Sequence, residues 1–536
     1  MTAYAARAAG AAAAAIDAAA RVNAGALGTR GEGMRIGVID SGIDYTHPAL
    51  GGAFGPGHKV AGGYDFVNDD ADPIDDAGHG THVAGIIAAD SPEIAGVAPA
   101  ATLFAYKVLD YRGNGSQSDV IAAIERSIDP NQDGDPADRL DVINISLGGP
   151  GNADDLVSRA ADAATAAGVI VVAAAGNAGV HGSIGSPGTA RSAITVGASA
   201  SSDTMASFSS RGPSAGLLGF KPDVVAPGAA IPSTWIGGGT ASLDGTSMAA
   251  PHVAGAAALL RKLHPAWTPA EVKSALVTTT TRVNDAPLGR AAGRIDAARA
   301  DAATTFVDGA GISFGLASAK SGMWEAVRTV SVTNRAAVAR TFEIASTGGF
   351  PGATFTATPA TLQLAPGESK AVALRLVVDA AAAPFPSQPL FDGDIEFRGD
   401  APFALPWFFV RAARITVAYD QPALAVVALS DNDVKTPFVY DVGKAEIFTP
   451  PDSQWDFLLL AYDPDASPAA MRMAWAEDRV ASATAWWRCA AATPRRKWSS
   501  TRTTNSAPPS PSCRRRSIAC ASSGCSMPSG PVSSSR

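Results

Sequence analysis

The first 478 residues of this 536-residue chain contain no cysteine. All four cysteines lie in the C-terminal tail, at Cys489, Cys513, Cys520 and Cys525. This distribution excludes disulfide bonds and a thiol nucleophile from the body of the protein. The sequence also lacks any run of about eighteen strongly apolar residues, which argues against a membrane-spanning helix.

Acidic residues are absent after Asp478, although ten basic residues follow it. The first 478 residues therefore carry 32 basic and 50 acidic side chains, a net charge of −18. An acidic body argues against nucleic acid as a partner. Because 46% of the residues are hydrophobic, the chain has ample material for packed cores, and its length predicts two or three domains.

Short apolar runs alternate with helical stretches between residues 35 and 278. The predicted strands are Arg35–Asp40, Leu103–Leu109, Asp141–Ser146, Val169–Ala174 and Ala193–Val196. The predicted helices are Ser118–Ile128, Asp154–Ala167 and one that opens at the capping box Thr268–Glu271 and runs to about Thr278. This alternation predicts an α/β fold with a doubly wound, mostly parallel sheet, whose functional residues gather beyond the carboxyl ends of the strands.

Four polar residues stand at such positions, and each has an ordinary structural interpretation when taken alone. Asp40 ends a strand and equally fits a capping acid in a turn. His79 begins a helix between two glycines, which leave room for a substrate. Asn177 follows a strand within Gly176–Gly179, where it is either a turn residue or an amide donor aimed at a developing negative charge. Ser247 lies in the first turn of a small-residue helix, where serine is also a common cap.

An acid, a histidine and a serine at one edge of a sheet form a nucleophilic triad. The blocks around them are Val38-Ile39-Asp40-Ser41-Gly42-Ile43, His79-Gly80-Thr81-His82-Val83-Ala84-Gly85, Ala175-Gly176-Asn177 and Gly245-Thr246-Ser247-Met248-Ala249. Together they resemble the subtilisin-like serine proteases, over roughly residues 22–302 and in the family's order of acid, histidine and serine.

The resemblance implies a catalytic role for each of the four residues. Ser247 is expected to attack the peptide carbonyl, and His79 to accept its proton and deliver it to the leaving amine. Asp40 is expected to orient the imidazole, and Asn177 to bind the oxyanion together with the Ser247 backbone N–H.

The resemblance also implies an extended substrate that pairs with two strands, at Gly113-Asn114-Gly115 and Ser146-Leu147-Gly148. Because backbone pairing reads no sequence, we expect broad specificity. The first specificity pocket is expected to be lined by Ala174, Ala175 and Gly176, with Gly185 at its base. A glycine floor leaves depth for a large apolar side chain, so we expect cleavage after Phe, Leu, Tyr or Met.

No cofactor is required for chemistry of this kind, and the resemblance allows a structural calcium ion without identifying its ligands. The segment Asp129–Asp135 starts like a calcium loop, with oxygens at alternate positions. Leu140 stands at the twelfth position, where a bidentate glutamate is required, so the match fails there.

The expected domains are an Ala-rich N-terminal segment at residues 1–21 and the catalytic domain at 22–302. A fibronectin-III-like β-sandwich at 303–415, a partial β unit at 416–465 and a low-complexity, disordered tail at 466–536 are expected to follow. For the first segment, a helix or the end of a pro-segment is favoured over a signal peptide, because alanine is weakly apolar and Asp17 interrupts the run.

The favoured interpretation is a monomeric, extracellular endopeptidase that acts on polypeptides, with no nucleic-acid partner and no membrane span. The extracellular location rests on the family resemblance alone. The alternatives are an inactive scaffold or adhesin that binds proteins through the β module, and an esterase. An inactive relative would have lost one of the four residues, and an esterase would carry its serine between two glycines in a different arrangement.

Overall fold

The computed structural model describes residues 16–200, 203–214, 219–317, 322–348, 350–382 and 390–411 in full. Elsewhere it describes only the backbone of short strands, at Thr2–Ala3, Ala6–Arg7 and between residues 413 and 526. The chain divides into two compact units. The first comprises Met1–Leu316, Lys320–Ala383 and Leu390–Phe409, and the second comprises Ala317–Ala319, Pro384–Pro389 and Val410–Arg536.

The first unit is built on a seven-stranded sheet in which every pair of neighbours is parallel. Its strands are β1 Arg35–Asp40, β2 Val60–Asp65, β3 Thr102–Lys107, β4 Val142–Ile145, β5 Ile170–Ala174, β6 Ile194–Ser199 and β7 Val224–Pro227. They lie in the order β7-β6-β5-β4-β1-β3-β2. The five strands predicted from apolar runs are all present, and the doubly wound α/β prediction is confirmed for this part of the chain.

The two edge strands of this sheet, β2 and β7, are not predicted from apolar runs. The β2 sequence, Val-Ala-Gly-Gly-Tyr-Asp, contains two glycines and forms no apolar run, because an edge strand needs less burial than a central one. Strand β7 is only four residues long and ends in Pro227, which cannot donate a ladder hydrogen bond.

Five main helices accompany the sheet: α1 His79–Ala88, α2 Gln117–Ile128, α3 Leu156–Ala166, α4 Thr246–Leu263 and α5 Pro269–Thr278. Side chains cap three of them, since Ser116, Asp155 and Thr268 each accept a hydrogen bond from a first-turn amide. Thr268 and Glu271 form the predicted capping box. Helix α4 is buried from Thr246 to Leu260 because its Ala and Gly residues allow the sheet and α1 to approach it closely.

Shorter elements connect these. The helical ones are Ala18–Arg21, Ala24–Ala26, Pro48–Leu50, Pro136–Asp138, Pro287–Arg290 and Ala297–Asp301. A hairpin joins Ile231–Trp235 to Gly239–Asp244, and Ile16–Asp17 pairs with Ile94–Ala95. Within the described part of the chain, no helix is both long and apolar enough to cross a membrane.

The N-terminal segment is extended where its backbone is described. Thr2–Ala3 pairs antiparallel with Leu147–Gly148, and Ala6–Arg7 pairs antiparallel with Leu243–Asp244. Helix is confined to Ala18–Arg21 within the segment's described residues. The segment is therefore extended rather than helical at the two paired dipeptides, where open strand edges offer its backbone groups partners. The alternative, the end of a pro-segment, stays a prediction.

Two further sheets follow the α/β part of the first unit in the sequence, and the strand pairs whose direction is described are antiparallel. One contains, in spatial order, Thr305–Val307, Met323–Asn334, Ser369–Asp379 and Ala353–Thr358, and the other contains Ile312–Leu316, Phe403–Val410, Leu390–Gly399, Arg340–Thr347 and Thr361–Leu364. Short alternating runs predict strands at residues 329–333, 341–344, 361–364 and 371–377, and a strand is present at each. Aromatic rings join the sheets, since Phe314 lies 6.5 Å from Phe355 and Trp324 lies 6.3 Å from Phe409.

A buried ion pair and a hydrogen bond connect these two sheets to the α/β part of the first unit. The Arg290 guanidinium donates to both carboxylate oxygens of Asp394, at 2.7 and 2.6 Å, and each side chain is only 3% exposed. The backbone N–H of Leu288 donates to the Asp392 carboxylate at 3.0 Å. The two regions therefore share one buried interface.

The second unit is described by its strands alone. Three of them pair as Ala413–Ala418, Lys444–Thr449 and Val439–Asp441. Seven form another sheet, in the order Val434–Lys435, Ala423–Leu429, Asp456–Asp463, Ala470–Glu477, Lys497–Thr504, Ala483–Ala490 and Cys525–Ser526. Four of these strands fall within residues 466–536, where we expected no regular structure. The other residues of that stretch lie outside the described part of the chain, so their disorder stays a prediction.

Candidate active site

The carboxylate of Asp40 and the imidazole of His79 form a buried hydrogen bond. Asp40 is the last residue of β1, and His79 is the first residue of α1. The Nδ1 atom of His79 lies 2.7 Å from Oδ1 of Asp40, and the two residues are 7% and 0% exposed. The backbone N–H of Ser41 donates to the same carboxylate oxygen at 2.8 Å. Asp40 therefore fixes the orientation of the ring, as the sequence predicts.

The electrostatic surroundings of His79 stabilise the positive charge that its imidazole acquires when it accepts a proton. Burial opposes the charged form, but the charge of Asp40, its hydrogen bond and the charge of Asp75 together raise the pKa of His79 above its usual value. Among the described residues, the Nε2 atom of His79 has no hydrogen-bond partner. That nitrogen is therefore available to accept a proton from a nucleophile.

Ser247 lies in the first turn of α4, immediately after Thr246, and is fully buried. Its hydroxyl donates to the backbone carbonyl of Ser146 at 2.8 Å. This hydrogen bond, rather than one to His79, is the one that the structure shows for the hydroxyl. Helices α1 and α4 pack directly against each other, which brings the segments that carry His79 and Ser247 into one layer.

A proline in α4 shapes the nucleophile's backbone. Pro251 has no N–H, so it cannot donate to the carbonyl of Ser247 four residues earlier. The hydroxyl of Ser146 replaces that donor at 2.9 Å, and Asn144 Nδ2 in turn donates to the Ser146 hydroxyl at 2.9 Å. The end of β4 and the start of α4 are thus joined by side chains.

The amide of Asn177 is oriented by the residue that precedes the nucleophile. Its carbonyl oxygen accepts from the backbone N–H of Thr246 at 3.0 Å and from the Thr246 hydroxyl at 2.9 Å. The Thr246 hydroxyl also accepts from the N–H of Gly176 at 3.1 Å. Because these contacts fix the oxygen end of the amide, they also fix the direction of its NH₂ group.

The predicted substrate-binding strand is present as Leu147–Gly148, directly after Ser146. Its pairing with Thr2–Ala3 shows that its edge accepts an extended chain. Gly113, Asn114 and Gly115 follow β3 and lie in a turn in which Asp110 accepts from the N–H of Asn114 at 2.9 Å. A side chain at Gly115 would meet the carbonyl of Val108 at 2.1 Å, so this stretch lies close against the strand end.

The residues predicted to line the specificity pocket are adjacent. Ala174 ends β5 and is buried, as are Ala175 and Gly176. The N–H of Gly185 donates to the carbonyl of Ala175 at 3.0 Å, which connects the residue expected at the base of the pocket to one of those expected to line it. The following residue, Ser186, forms an antiparallel bridge with Gly149, next to the substrate-binding strand.

No sequence pattern marks the residues that support these groups. Thr246 belongs to the motif around Ser247, but nothing in the motif indicates that its hydroxyl or that of Ser146 holds a neighbouring group. Asp75 accepts hydrogen bonds from Ser41 and Thr81, which lie next to Asp40 and His79. Its only sequence signal is an acid four residues before the histidine that starts a helix.

The carboxylates of the candidate calcium loop accept hydrogen bonds from the loop's own backbone. Asp129 accepts from the N–H of Asp133 at 3.2 Å and from the N–H of Gly134 at 2.9 Å. Asp133 accepts in turn from the N–H of Asp135 at 2.8 Å. Across the described residues, no cluster of three or more His, Cys, Asp or Glu side chains is arranged to hold a metal ion.

Comparison with known proteins gives a consistent result. The model of the subtilase family, peptidase family S8, matches residues 31–311. Over 260 residues the chain is 46% identical to subtilisin NAT from Bacillus subtilis subsp. natto, a match that covers 47% of this chain and 62% of the relative. It is 45% identical over 260 residues to subtilisin from Bacillus pumilus, covering 47% of this chain and 86% of that protein. It is 42% identical over 263 residues to subtilisin Savinase from Lederbergia lenta, covering 49% of this chain and 88% of that protein.

Proposed function

Because this chain belongs to the subtilase family, we propose that it is a serine endopeptidase that hydrolyses peptide bonds in proteins. The chain spans 62% of the length of relatives such as subtilisin NAT. The observation that carries it is the buried 2.7 Å hydrogen bond between Asp40 and His79, on a helix that packs against the helix of Ser247. These three residues are the proposed triad, and Asn177 is the proposed oxyanion donor.

Substrate binding is proposed to release the nucleophile. An extended peptide that pairs with Ser146-Leu147-Gly148 needs the Ser146 carbonyl, which now accepts from the Ser247 hydroxyl. When the peptide's N–H occupies that carbonyl, the hydroxyl turns to Nε2 of His79. This exchange couples occupancy of the cleft to formation of the serine–histidine hydrogen bond.

The chemical steps follow from the same atoms. The Oγ of Ser247 forms a bond to the peptide carbonyl carbon while His79 Nε2 takes the hydroxyl proton, and the carbonyl oxygen becomes an oxyanion. The Asn177 amide and the Ser247 N–H bind this oxyanion. The carbon–nitrogen bond then breaks as His79 protonates the leaving amine, and water hydrolyses the acyl-enzyme by the same route.

The N-terminal segment supports this path for the substrate. Thr2–Ala3 pairs with Leu147–Gly148, which directly follows Ser146, and the Ser146 carbonyl accepts from the Ser247 hydroxyl. Ala6–Arg7 pairs with Leu243–Asp244, which lies three residues before Ser247 in the sequence. Only Tyr4 and Ala5 separate the two paired dipeptides in the sequence. Backbone pairing favours broad specificity, and a pocket floored by Gly185 favours Phe, Leu, Tyr or Met before the cleaved bond.

A comparison of the wild-type protein with Ser247→Ala tests the function. We expect the wild type to react with a fluorophosphonate, to digest casein and to shorten its own N-terminus at a bond between residues 3 and 6. The Ser247→Ala variant should do none of these, and its intact mass should retain the segment. Fluorophosphonate labelling that persists in the variant, or a folded wild type without any proteolysis, would refute the assignment and leave a protein-binding role.

The wider organisation is part of the proposal. Residues 22–302 form the catalytic domain, 303–415 a fibronectin-III-like sandwich and 416–465 a partial β unit, while residues 466–536 are of low complexity in sequence. The protein acts as an extracellular monomer on polypeptides and does not bind nucleic acid. Light scattering after gel filtration tests the oligomeric state. Any structural calcium ion should appear as a lower melting temperature in chelator.

A further inference from the structure

The carboxylate of Asp75 is buried beside the proposed triad and accepts five hydrogen bonds. Oδ1 accepts from the Ser41 hydroxyl and from the N–H groups of Ala77 and Gly78, each at 2.9 Å. Oδ2 accepts from the N–H of Thr81 at 2.8 Å and from its hydroxyl at 2.6 Å. The residue is 6% exposed, so water does not replace these contacts. Burial raises the pKa of the Asp75 carboxyl, and the converging hydrogen bonds oppose that shift because they favour the ionised form, which only accepts.

These donors belong to the two segments that hold the Asp40–His79 pair. Ser41 follows Asp40 directly, whereas Gly78 and Thr81 flank His79 at the start of α1. The Ser41 hydroxyl also accepts from the N–H of Gly80 at 2.9 Å, which closes the link between the segments. One carboxylate therefore joins the end of β1 to the first turn of α1.

The start of α1 requires such an external carboxylate. The residue at the N-cap position is Gly78, which has no side chain to accept from the first-turn N–H groups. A larger residue cannot replace it, since its φ is 94° and a Cβ there would lie 2.5 Å from the ring of Trp235. Asp75 supplies the missing acceptor from three residues upstream, and its negative charge lies at the positive end of the helix dipole.

We propose that Asp75 is a positioning residue of the catalytic site, which fixes the alignment of Asp40 with His79 and stabilises the imidazolium through its charge. The proposal rests on the endopeptidase function proposed above. Asp75 does not touch the reacting atoms in this account. It acts through Ser41 on one side and through the first turn of α1 on the other.

The charges that face His79 support the electrostatic part. Burial lowers the pKa of His79, whereas Asp40 and then Asp75 raise it. His82, one turn along α1, is neutral near pH 7, since burial lowers its pKa to about 3. Lys107 on β3 is paired with Asp76 at 2.5 Å, so the neighbouring acid is already neutralised by a cation.

The Asp75→Asn variant tests both parts of the proposal. We expect kcat to fall about 10- to 100-fold with KM within about twofold, because misalignment of catalytic groups affects the transition state most. We also expect the pKa of the acid limb of kcat/KM to fall, because a nearby negative charge is lost. Asp133→Asn is the control, because among the described residues this exposed carboxylate accepts only within its own loop, and the acid limb should keep its wild-type pKa.

The Ser41→Ala variant separates alignment from charge. It removes one contact of Asp75 and keeps the carboxylate, so kcat should fall while the acid-limb pKa stays at the wild-type value. If kcat in Ser41→Ala equals that of the wild type, the alignment role is wrong. If the acid limb of Asp75→Asn does not move, the charge role is wrong.

A measurement without turnover distinguishes this proposal from the function itself. Titration of the His79 imidazole by NMR, assigned by its loss in His79→Ala, reports the pKa in each variant carrying Ser247→Ala. A lower imidazole pKa in Asp75→Asn supports the proposal even if no proteolysis is ever observed. An unchanged imidazole pKa in a folded Asp75→Asn variant overturns it even if the protein is an active protease. If Asp75→Asn does not fold, the same titration in Ser41→Ala and its kcat decide the alignment role.

Discussion

Replacement of Thr246 by valine tests how the Asn177 amide is held. Valine keeps the shape of threonine but removes the hydroxyl that donates to the Asn177 carbonyl oxygen at 2.9 Å. The same hydroxyl accepts from the buried N–H of Gly176 at 3.1 Å, so the change leaves that donor without its acceptor. The Thr246 backbone N–H still donates to Asn177 at 3.0 Å. The amide is therefore loosened rather than released.

The size of the effect follows from these contacts. In subtilisin, a relative of this chain, removal of one oxyanion donor costs about 100- to 1,000-fold in kcat, which sets the upper limit. One neutral hydrogen bond contributes about 0.5 to 1.5 kcal/mol net, and 1.36 kcal/mol corresponds to a factor of ten. We therefore expect Thr246→Val to lower kcat by about 2- to 13-fold. KM should stay within about twofold, because the oxyanion exists only in the transition state.

A double-mutant cycle with Asn177→Ala provides the assay. Steady-state kinetics on a peptide substrate are measured for the wild type, both single variants and the double variant. If Thr246 acts through the amide, Thr246→Val should have almost no further effect once Asn177 is alanine. The unmade hydrogen bond at Gly176 should separately lower the free energy of unfolding by about 1 to 3 kcal/mol, measured in a Ser247→Ala background to prevent autolysis.

Two results would contradict this account. An equal loss of kcat from Thr246→Val with and without Asn177 would show that the hydroxyl does not act through the amide. A rise in KM with unchanged kcat would show that the contact serves ground-state binding instead. Either result would remove the structural support for Asn177 as the oxyanion donor.

Three further predictions concern stability, and each is checked by urea unfolding of the Ser247→Ala protein. Asp394→Asn should cost about 3 to 5 kcal/mol because it leaves the Arg290 guanidinium buried and unpaired, and unchanged stability would exclude the pair as an attachment between the two regions. Burial lowers the pKa of His82 to about 3 and that of His252 to about 4. The free energy of unfolding should therefore fall as the pH drops from 6.5 to 4, with a slope of up to about 1.4 kcal/mol per pH unit for each histidine. A flat profile would contradict the burial of both rings in their neutral form. Burial lowers the pKa of Lys221 to about 7, so the unfolded state binds more protons above that pH and stability should rise from pH 7 toward 10.5, a rise that Lys221→Met should reduce.

Local patterns were sufficient to predict the central part of the fold. The strand Arg35–Asp40 has the predicted bounds because a fully apolar run between turns has few alternatives to a buried parallel strand. The capping box at Thr268 located the start of α5 for a similar reason, since all its partners lie within one turn. The edge strands β2 and β7 and the paired N-terminal dipeptides were missed, because their pairing depends on distant edges rather than on their own sequence.

The candidate calcium loop shows the same limit in the opposite direction. Its spacing of oxygens suggested a cation, but the carboxylates of Asp129 and Asp133 accept from backbone N–H groups of their own loop. Oxygens that match a ligand pattern in the sequence also match an ordinary network of turns.

The sequence by itself determined which residues can carry the chemistry and that each stands at the end of a strand or the start of a helix. Those assignments depend on neighbours within a few positions. Tertiary structure alone decided what holds these residues in place. Ser146 supplies the donor that Pro251 denies to the carbonyl of Ser247, and Thr246 orients an amide 69 positions earlier. Such contacts join segments that meet only because of the order in which the strands assemble, and no local pattern encodes that order.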